Sequence, residues 1–76
     1  MKGYVILQEG DRWCLEGYYM GDSYVVHGIL YGCFDRDIKK AKVYRYKKNA
    51  EIVVSNIYKF ANASPIMCKI VEIEVE

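Results

Sequence analysis

The stretch AKVYRYKKNAEIVVSNIYKFA, residues 41–61, decides the fold because the spacing of its apolar residues changes part-way along. Before Lys47, Val43 and Arg45 alternate with two tyrosines, as in a short β-strand. After Lys47 the apolar residues recur every three or four positions, which is typical of one face of an α-helix. This second set comprises Ala50, Val53, Val54, Ile57 and Ala61. The pattern predicts a strand over residues 42–46 and a helix over residues 47–61.

Two Gly-Asp pairs nearer the N-terminus predict hairpin turns, in EGDR at residues 9–12 and in MGDS at residues 20–23. Glycine adopts the positive φ that tight hairpin turns require, and the flanking runs are rich in Tyr, Val and Ile, which favour strands. Gly28 and Gly32 interrupt the last of these runs and indicate a bulge or a close backbone approach. The sequence therefore predicts an antiparallel meander of three strands, over residues 3–9, 12–20 and 24–34.

The C-terminal segment predicts a last strand, over residues 66–76. Pro65 ends the helical region, since the residue before a proline avoids helical angles, and Val71, Ile73 and Val75 then alternate with glutamates. The element order β-β-β-β-α-β indicates an α+β fold. We expect one domain, residues 1–76, with an antiparallel sheet of four to five strands and the helix packed on one face.

Composition narrows the class of protein. With 76 residues and 53% hydrophobic content, the chain is long enough for one small core and too apolar to be disordered. No apolar run approaches the roughly 20 residues of a membrane-spanning helix. The four-residue apolar run near the N-terminus is too short for a signal peptide. We therefore expect a cytoplasmic protein without membrane association.

The cysteines indicate a reduced protein without a bound metal. Cys14, Cys33 and Cys68 are odd in number and widely spaced, unlike the paired cysteines of small secreted domains. A zinc site formed by these thiols and His27 would lack the closely spaced ligand pairs of structural zinc sites. We expect three buried thiols, no metal and no other cofactor.

The sequence carries no recognisable catalytic motif. His27 is the single histidine, and no serine or cysteine lies in a nucleophile motif. GYYMGD, residues 17–22, lacks the spacing of a phosphate-binding glycine loop. We expect a protein that is not an enzyme.

Both faces of the predicted meander are apolar, although one helix covers only one face. In the first strand, Tyr4 and Ile6 alternate with Val5 and Leu7. An exposed apolar face of this size indicates a partner, and tyrosine is frequent at interfaces. We expect a homo-oligomer, in the first place a dimer, joined through the helix-free face or an edge strand. The alternative is that loops or sheet curvature close the second face. The candidate partner contacts are Tyr18, Tyr19, Tyr24 and Tyr31.

Residues 39–48 form a basic segment, in which six of ten residues are lysine or arginine. Aromatic and basic side chains together are typical of single-stranded nucleic-acid platforms, but a net charge of +1 is low for a nucleic-acid-binding protein. Three interpretations stay open: the cations are solvated or pair with Glu72 and Glu74 across the sheet, they bind an acidic protein, or they bind a nucleic acid or nucleotide. The candidate contact residues are Tyr44, Arg45, Tyr46, Lys47 and Lys48.

The second half of the chain resembles a widespread class of small phage and prophage proteins of unknown function. The matching motifs are a YVI strand at residues 4–6, an A-x-V-Y strand at residues 41–44, a helix start at Lys47, Ala50 and Glu51, and a charged last strand. The resemblance implies this fold, and it implies binding to a host factor such as a CRISPR defence nuclease. Residues 17–34 depart from the shorter hairpin usual in that class, so we expect any specific role to lie there.

These features predict a non-enzymatic binding protein of phage or prophage origin that inhibits a host protein by stoichiometric binding. Two alternatives stay open. One is an oligomeric small-ligand binder that sequesters an anionic nucleotide, and the other is a nucleic-acid-binding accessory protein.

Overall fold

The continuous apolar run YVIL within KGYVILQ forms the central strand, β1 (Lys2–Gln8), which is apolar on both faces. In the computed structural model, which describes residues 1–12 and 14–75, β1 pairs along its whole length with the last strand (Cys68–Glu74). The pairing is antiparallel, and its register places Ile6 opposite Ile70. The first and last strands of the described chain are therefore neighbours in the sheet.

Two further strands, β2 (Gly17–Val26) and β3 (Ile29–Asp35), complete the sheet, so the last strand is β4 and the strand order is β3-β2-β1-β4. The helix α1 (Lys47–Asn56) packs mainly over β1 and β4. The predicted α+β class, with one helix and an antiparallel sheet, is confirmed. Within the part of the chain that the structure describes, no helix is both long and apolar enough to cross a membrane.

The core lies between α1 and the face of the sheet that it covers. Ala50 and Ile57 from the predicted helix face are fully buried, and Val53 and Val54 pack at the margin of the core. Ala61 is exposed, because α1 ends at Asn56 and continues only as a 3-10 turn, Ile57–Lys59. The buried core residues of this cluster are Ile6, Tyr19, Ala50, Ile57 and Phe60.

β2 leaves β1 after two residue pairs, and the chain that follows β3 fills the resulting gap. The Lys42 N–H donates to the Tyr19 carbonyl at 2.9 Å, and Tyr4 and Tyr44 exchange two backbone hydrogen bonds of 2.8 Å. The strand predicted over residues 42–46 is thus reduced to a single bridge. The reason is length, since α1 begins immediately afterwards and leaves no room for further pairs.

The turn predicted at residues 20–23 is wrong, because β2 runs through this stretch. Gly21 does have a positive φ, of 86°, but it lies in a bulge where β2 carries more residues than β3 between two paired positions. The hairpin turn lies instead at His27 and Gly28, with φ values of 51° and 78°. Bulges and turns both use positive φ, so the presence of glycine did not locate the turn.

The turn predicted at residues 9–12 is replaced by a longer connection, over residues 9–16. Within it the Asp11 carboxylate accepts a hydrogen bond from the Cys14 N–H at 2.8 Å. The second strand accordingly begins at Gly17 and not at Arg12. Trp13, which the prediction placed in that strand, lies outside the described residues.

The outer edge of β3 is closed by the chain that follows α1. The Asn62 side chain accepts a hydrogen bond from the Gly32 N–H and donates one to the Gly32 carbonyl, both at 2.9 Å. The Ala61 N–H donates to the Leu30 carbonyl at 2.8 Å. Gly32 is required here, since a Cβ would lie 2.9 Å from the Phe60 ring. This edge of the sheet is therefore not free to pair with another strand.

The helix-free face is closed over one end of the sheet. Val43 and Val75 lie above Gly3, where an added Cβ would come within 2.7 and 2.6 Å of them, respectively. Val5, on the same face, is fully buried. Neighbouring side chains thus cover this end without a second helix.

The apolar row of β4 faces away from α1. Val71 lies opposite Val5 and Ile73 opposite Gly3, and residues directly opposite each other share a face. Both are half-buried on the helix-free face, and Glu72 lies on the helix side. The alternation predicted for the last strand is present, but its apolar side is not the side that the helix covers.

Candidate functional site

The outer half of the β2–β3 hairpin projects from the molecule. We term residues 21–31 the arm and the other described residues the body. Every residue from 21 to 29 is exposed, whereas Leu30, two residues after the turn and opposite Val25, packs against the core. The molecule is correspondingly elongated, with principal extents of 40 × 22 × 20 Å.

A two-residue turn closes the arm. The consecutive positive φ values of His27 and Gly28 are those of a type I′ turn, whose twist matches that of the flanking strands. Histidine is one of the residues that tolerate the left-handed region, and glycine enters it freely. The turn fixes the register of the strand ends, with Val26 opposite Ile29.

Both faces of the arm carry apolar side chains. Tyr24, Tyr31, Val26 and Ile29 lie on the helix-free face, and the two tyrosine rings stack with centroids 5.5 Å apart. Val25 points to the opposite face and is 63% exposed. Residues 23–31 contain no Asp, Glu, Lys or Arg. Residues 23–31 of the arm therefore present an uncharged aromatic and aliphatic surface to solvent on two sides.

The basic segment extends toward the same end of the sheet as the arm. Residues 42–46 run antiparallel to β1, as β2 does, so both point in the same direction. Lys42 lies at the base of the arm, where its alkyl carbons would be 3.2 Å from a Cβ on Gly21. The chain then passes Arg45, which lies near Gly3 and Val75, and enters α1. Lys42 is therefore the cation of this segment that lies against the arm.

Five of the six cations of the basic segment are exposed and belong to no ion pair within residues 1–12 and 14–75, whereas the sixth, Lys40, lies 3.7 Å from Asp35. None of the ion pairs within residues 1–12 and 14–75 includes Lys42, Arg45, Lys47 or Lys48. Lys47 and Lys48 occupy the first turn of α1, which has no acidic residue and no side-chain cap. Their charges oppose the helix dipole, so an acidic group placed nearby would stabilise this end of the helix.

The C-terminal glutamates do not neutralise the basic segment. Glu72 accepts a hydrogen bond from Lys2 Nζ at 3.0 Å, which raises the pKa of Lys2. Glu74 lies 3.6 Å from the N-terminal amine. The cross-strand pairing considered for Glu72 and Glu74 is therefore wrong, because β4 and residues 42–46 lie on opposite sides of β1.

The structure divides the predicted contact tyrosines. Tyr24 and Tyr31 lie together on the arm, and Tyr46 is exposed next to Arg45, whose guanidinium carbon is 5.8 Å from the centre of the Tyr46 ring. Tyr18 is half-buried on the helix-free face of the body, opposite Leu7 and Asp35. Three of these four tyrosines thus belong to the end of the molecule formed by the arm and the basic segment.

Tyr19 and Tyr44 instead pack in the core or against it. Tyr19 is only 8% exposed, and its ring lies 5.5 Å from that of Phe34 and 5.8 Å from that of Phe60. Tyr44 is half-buried against the same cluster. Burial raises the pKa of both phenols. The placement of Tyr19 among the surface contacts is corrected, because α1 covers the face to which it points.

The clefts of the body are small. One of 240 Å³ lies between α1 and the base of the arm, and another of 270 Å³ lies beside Tyr18 and Arg36. Both are below the roughly 300–1,000 Å³ typical of small-molecule pockets. A depression of 410 Å³ beside the β1–β2 connection is open to solvent. The two clefts are thus smaller than a typical small-molecule pocket, and the larger depression is open.

The cysteine thiols are unpaired. Burial raises the pKa of Cys68 to about 11, and its Sγ lies 3.7 Å from the Gln8 Oε1. Such a thiol stays protonated at neutral pH and is a poor nucleophile. In the described residues, no three His, Cys, Asp or Glu side chains form a group suited to a metal ion.

The chain matches no protein-family model, no curated protein and no solved structure. Its function must accordingly be inferred from the arm and the basic segment.

The sequence prediction did not include three contact candidates on the arm: Val25, Val26 and Ile29. The available signal was VVHGIL, residues 25–30, in which aliphatic residues flank a dipeptide ending in glycine. Placing the turn at Gly21 treated these residues as one continuous strand. The sequence prediction therefore did not recognise that these three residues lie beside a hairpin turn, where their side chains are exposed.

Proposed function

We propose that this protein is a non-enzymatic binding module whose arm inserts into an apolar groove of a partner protein with an acidic rim. The observation that carries the proposal is the run of exposed residues from 21 to 29. Its aliphatic and aromatic side chains contribute little to the core of the body, and contiguous apolar surface of this kind is typical of interaction sites.

The distribution of charge supports an acidic protein as the partner. Protein interfaces combine an apolar, often aromatic centre with a polar rim. In this proposal the apolar residues 23–31 supply the centre, and the exposed cations at the same end of the sheet supply the rim: Lys42, Arg45, Lys47 and Lys48. Acidic groups around the partner's groove would satisfy these cations and accelerate association.

The resemblance to small phage proteins supports a host protein as the partner and the host cytoplasm as the place of action. Residues 17–34, where the chain departs from that class, contain the whole arm. The sharpest form of the proposal is therefore that the arm blocks a functional groove of a host defence protein, one inhibitor for each target molecule.

A matched pair of isoleucines tests the role of the arm. Ile29 on the arm and Ile52 on α1 are 47% and 51% exposed, so Ile→Thr removes similar apolar surface from each. A photoreactive residue at position 25 identifies the partner, which is then purified for titration. We expect Ile29→Thr, combined with Val25→Thr, to weaken binding more than tenfold, about 1.4 kcal/mol. Ile52→Thr should leave the affinity unchanged.

Equal losses for the arm and helix variants, at unchanged melting temperature, would overturn the proposal. Partner capture through position 25 that persists in the Ile29→Thr variant would do the same, because it would show that the crosslink reports proximity and not contact through the arm.

Charge reversal tests the acidic rim. We expect Arg45→Glu with Lys48→Glu to weaken binding more than tenfold at low salt, with a smaller loss as salt rises, because exposed charges are screened over about 8 Å at physiological ionic strength. The melting temperature should not fall, since neither residue has an ion-pair partner among residues 1–12 and 14–75. Salt-dependent binding of single-stranded DNA or RNA that equals the affinity for the protein partner would favour nucleic acid instead.

A further inference from the structure

We infer that β4 pairs with β4 of a second copy of this chain, so that two sheets join into one continuous antiparallel sheet. This interface is separate from the proposed partner site, because β4 forms the edge of the sheet opposite β3 and the arm. In this dimer the two copies meet at the edge strand β4 and not at the helix-free face.

The outward-facing backbone groups of β4 follow from its ladder with β1. Val75 donates its N–H to the Met1 carbonyl at 2.8 Å. Since alternate residues of an antiparallel strand turn toward the neighbouring strand, the odd-numbered residues of β4 bond to β1 and the even-numbered ones face outward. No hydrogen bond formed within residues 1–12 and 14–75 takes up the outward N–H groups of Ile70, Glu72 and Glu74.

The charged side chains of β4 do not prevent a further strand from pairing with this edge. Charged residues on an edge strand normally deter further pairing. Here they turn back over the sheet: Glu72 binds Lys2 at 3.0 Å and Lys69 binds Glu9 at 3.3 Å. Glu74 approaches the N-terminal amine. By contrast, the edge of β3 is occupied by the side chain of Asn62. The fold thus blocks one edge and leaves the other available.

The sequence of β4 is complementary to itself in one register. A two-fold axis at Val71 places Ile70 opposite Glu72 of the second copy and Lys69 opposite Ile73, so that no like charges meet. The three free amides all find acceptors, giving about six intermolecular hydrogen bonds. An axis at Glu72 would instead place two carboxylates opposite each other.

A register centred at Ile70 uses fewer bonds. It would need the Cys68 N–H, which already donates to the Pro65 carbonyl. The Val71 register requires only the carbonyl of Cys68, as the acceptor for Glu74 of the second copy. The geometry therefore selects the axis at Val71.

This dimer would carry its arms at opposite ends. The arm extends past the beginning of β1, which is the side where β4 ends, and a two-fold axis perpendicular to the sheet reverses that direction for the second copy. Each arm stays accessible, so the assembly would bind two partner molecules.

A proline at position 72 tests the inference directly. Glu72 is exposed and its N–H faces outward, so Glu72→Pro removes an intermolecular donor without removing a donor of the β1–β4 ladder. Glu72→Ala is the control, since it removes the same ion pair with Lys2 and keeps the N–H. By light scattering at tens of micromolar, we expect the wild type and Glu72→Ala to be dimers and Glu72→Pro to be a folded monomer.

Amide hydrogen exchange of the wild type provides a measurement that does not depend on the variant folding. On dilution into the monomer range, the Ile70, Glu72 and Glu74 amides should lose protection while those of Val71 and Ile73 keep theirs. A monomeric wild type, or a dimer that persists in folded Glu72→Pro, would overturn the inference. Equal protection of odd and even amides at every concentration would also overturn it.

Discussion

Ile57 in the body is 1% exposed and Ile29 in the arm is 47% exposed, although both lie in stretches rich in Tyr, Val and Ile. The difference comes from what lies across from each residue. The face of the body that contains Ile6 and Tyr19 meets α1, whereas Ile29 lies directly after the turn of the arm, opposite Val26, and faces solvent.

The residue types that build a core can also build an exposed apolar surface. A hairpin of two strands is marginal by itself, and the arm is held by Leu30, which packs against the core two residues after the turn, and by the two-residue turn itself. Its apolar side chains are therefore available to a partner without being needed for folding.

Truncating matched isoleucines contrasts the two regions most strongly. Ile57→Ala should lower the free energy of unfolding by about 2–5 kcal/mol, because it leaves a cavity in the core. Ile29→Ala should lower it by less than about 1 kcal/mol, as expected for a half-exposed side chain. Urea unfolding followed by circular dichroism measures both. Comparable losses would mean that the arm is part of the cooperative core.

The boundary between arm and body depends on Asn62. Asn62→Ala should cost about 1–3 kcal/mol, since it leaves the buried N–H and carbonyl of Gly32 without their partner. It should also open the β3 edge and promote aggregation. Asn49→Ala, on the exposed surface of α1, serves as the control and should be close to neutral. A neutral Asn62→Ala would show that the edge is held by other contacts.

The tip of the arm should respond to backbone strain alone. Gly28→Ala places a Cβ where nothing lies within 4 Å, but at a φ of 78°, which costs about 1 kcal/mol. We expect amide exchange in residues 24–30 to accelerate about fivefold while global unfolding stays unchanged. If global stability instead fell by the full amount, the arm and the body would unfold as one unit.

The sequence predicted the parts of the fold that depend on local periodicity. The three- and four-residue spacing from Ala50 to Ile57 located α1, and the alternation after Pro65 located β4. Gly21 misled the prediction because a bulge and a turn both use positive φ. The role of Asn62 could not be foreseen, since its partner, Gly32, is distant in sequence and only the finished fold brings the two together.

The candidate site was predicted in part for a similar reason. The basic segment and the arm tyrosines are visible in the sequence, but burial distinguishes Tyr19 from Tyr24, and burial depends on where α1 lies. The pairing of Glu72 and Glu74 with Lys2 and the N-terminal amine also followed from strand order, which charge patterning does not reveal.

The most direct test of the central claim is amide hydrogen exchange of the protein with and without its purified partner. If the arm is the binding element, the exposed amides of residues 22–29 should become protected in the complex, and the amides of β1 and of the centre of α1 should keep the rates of the free protein. Protection that appears in the body while the arm continues to exchange as in the free protein would contradict the account.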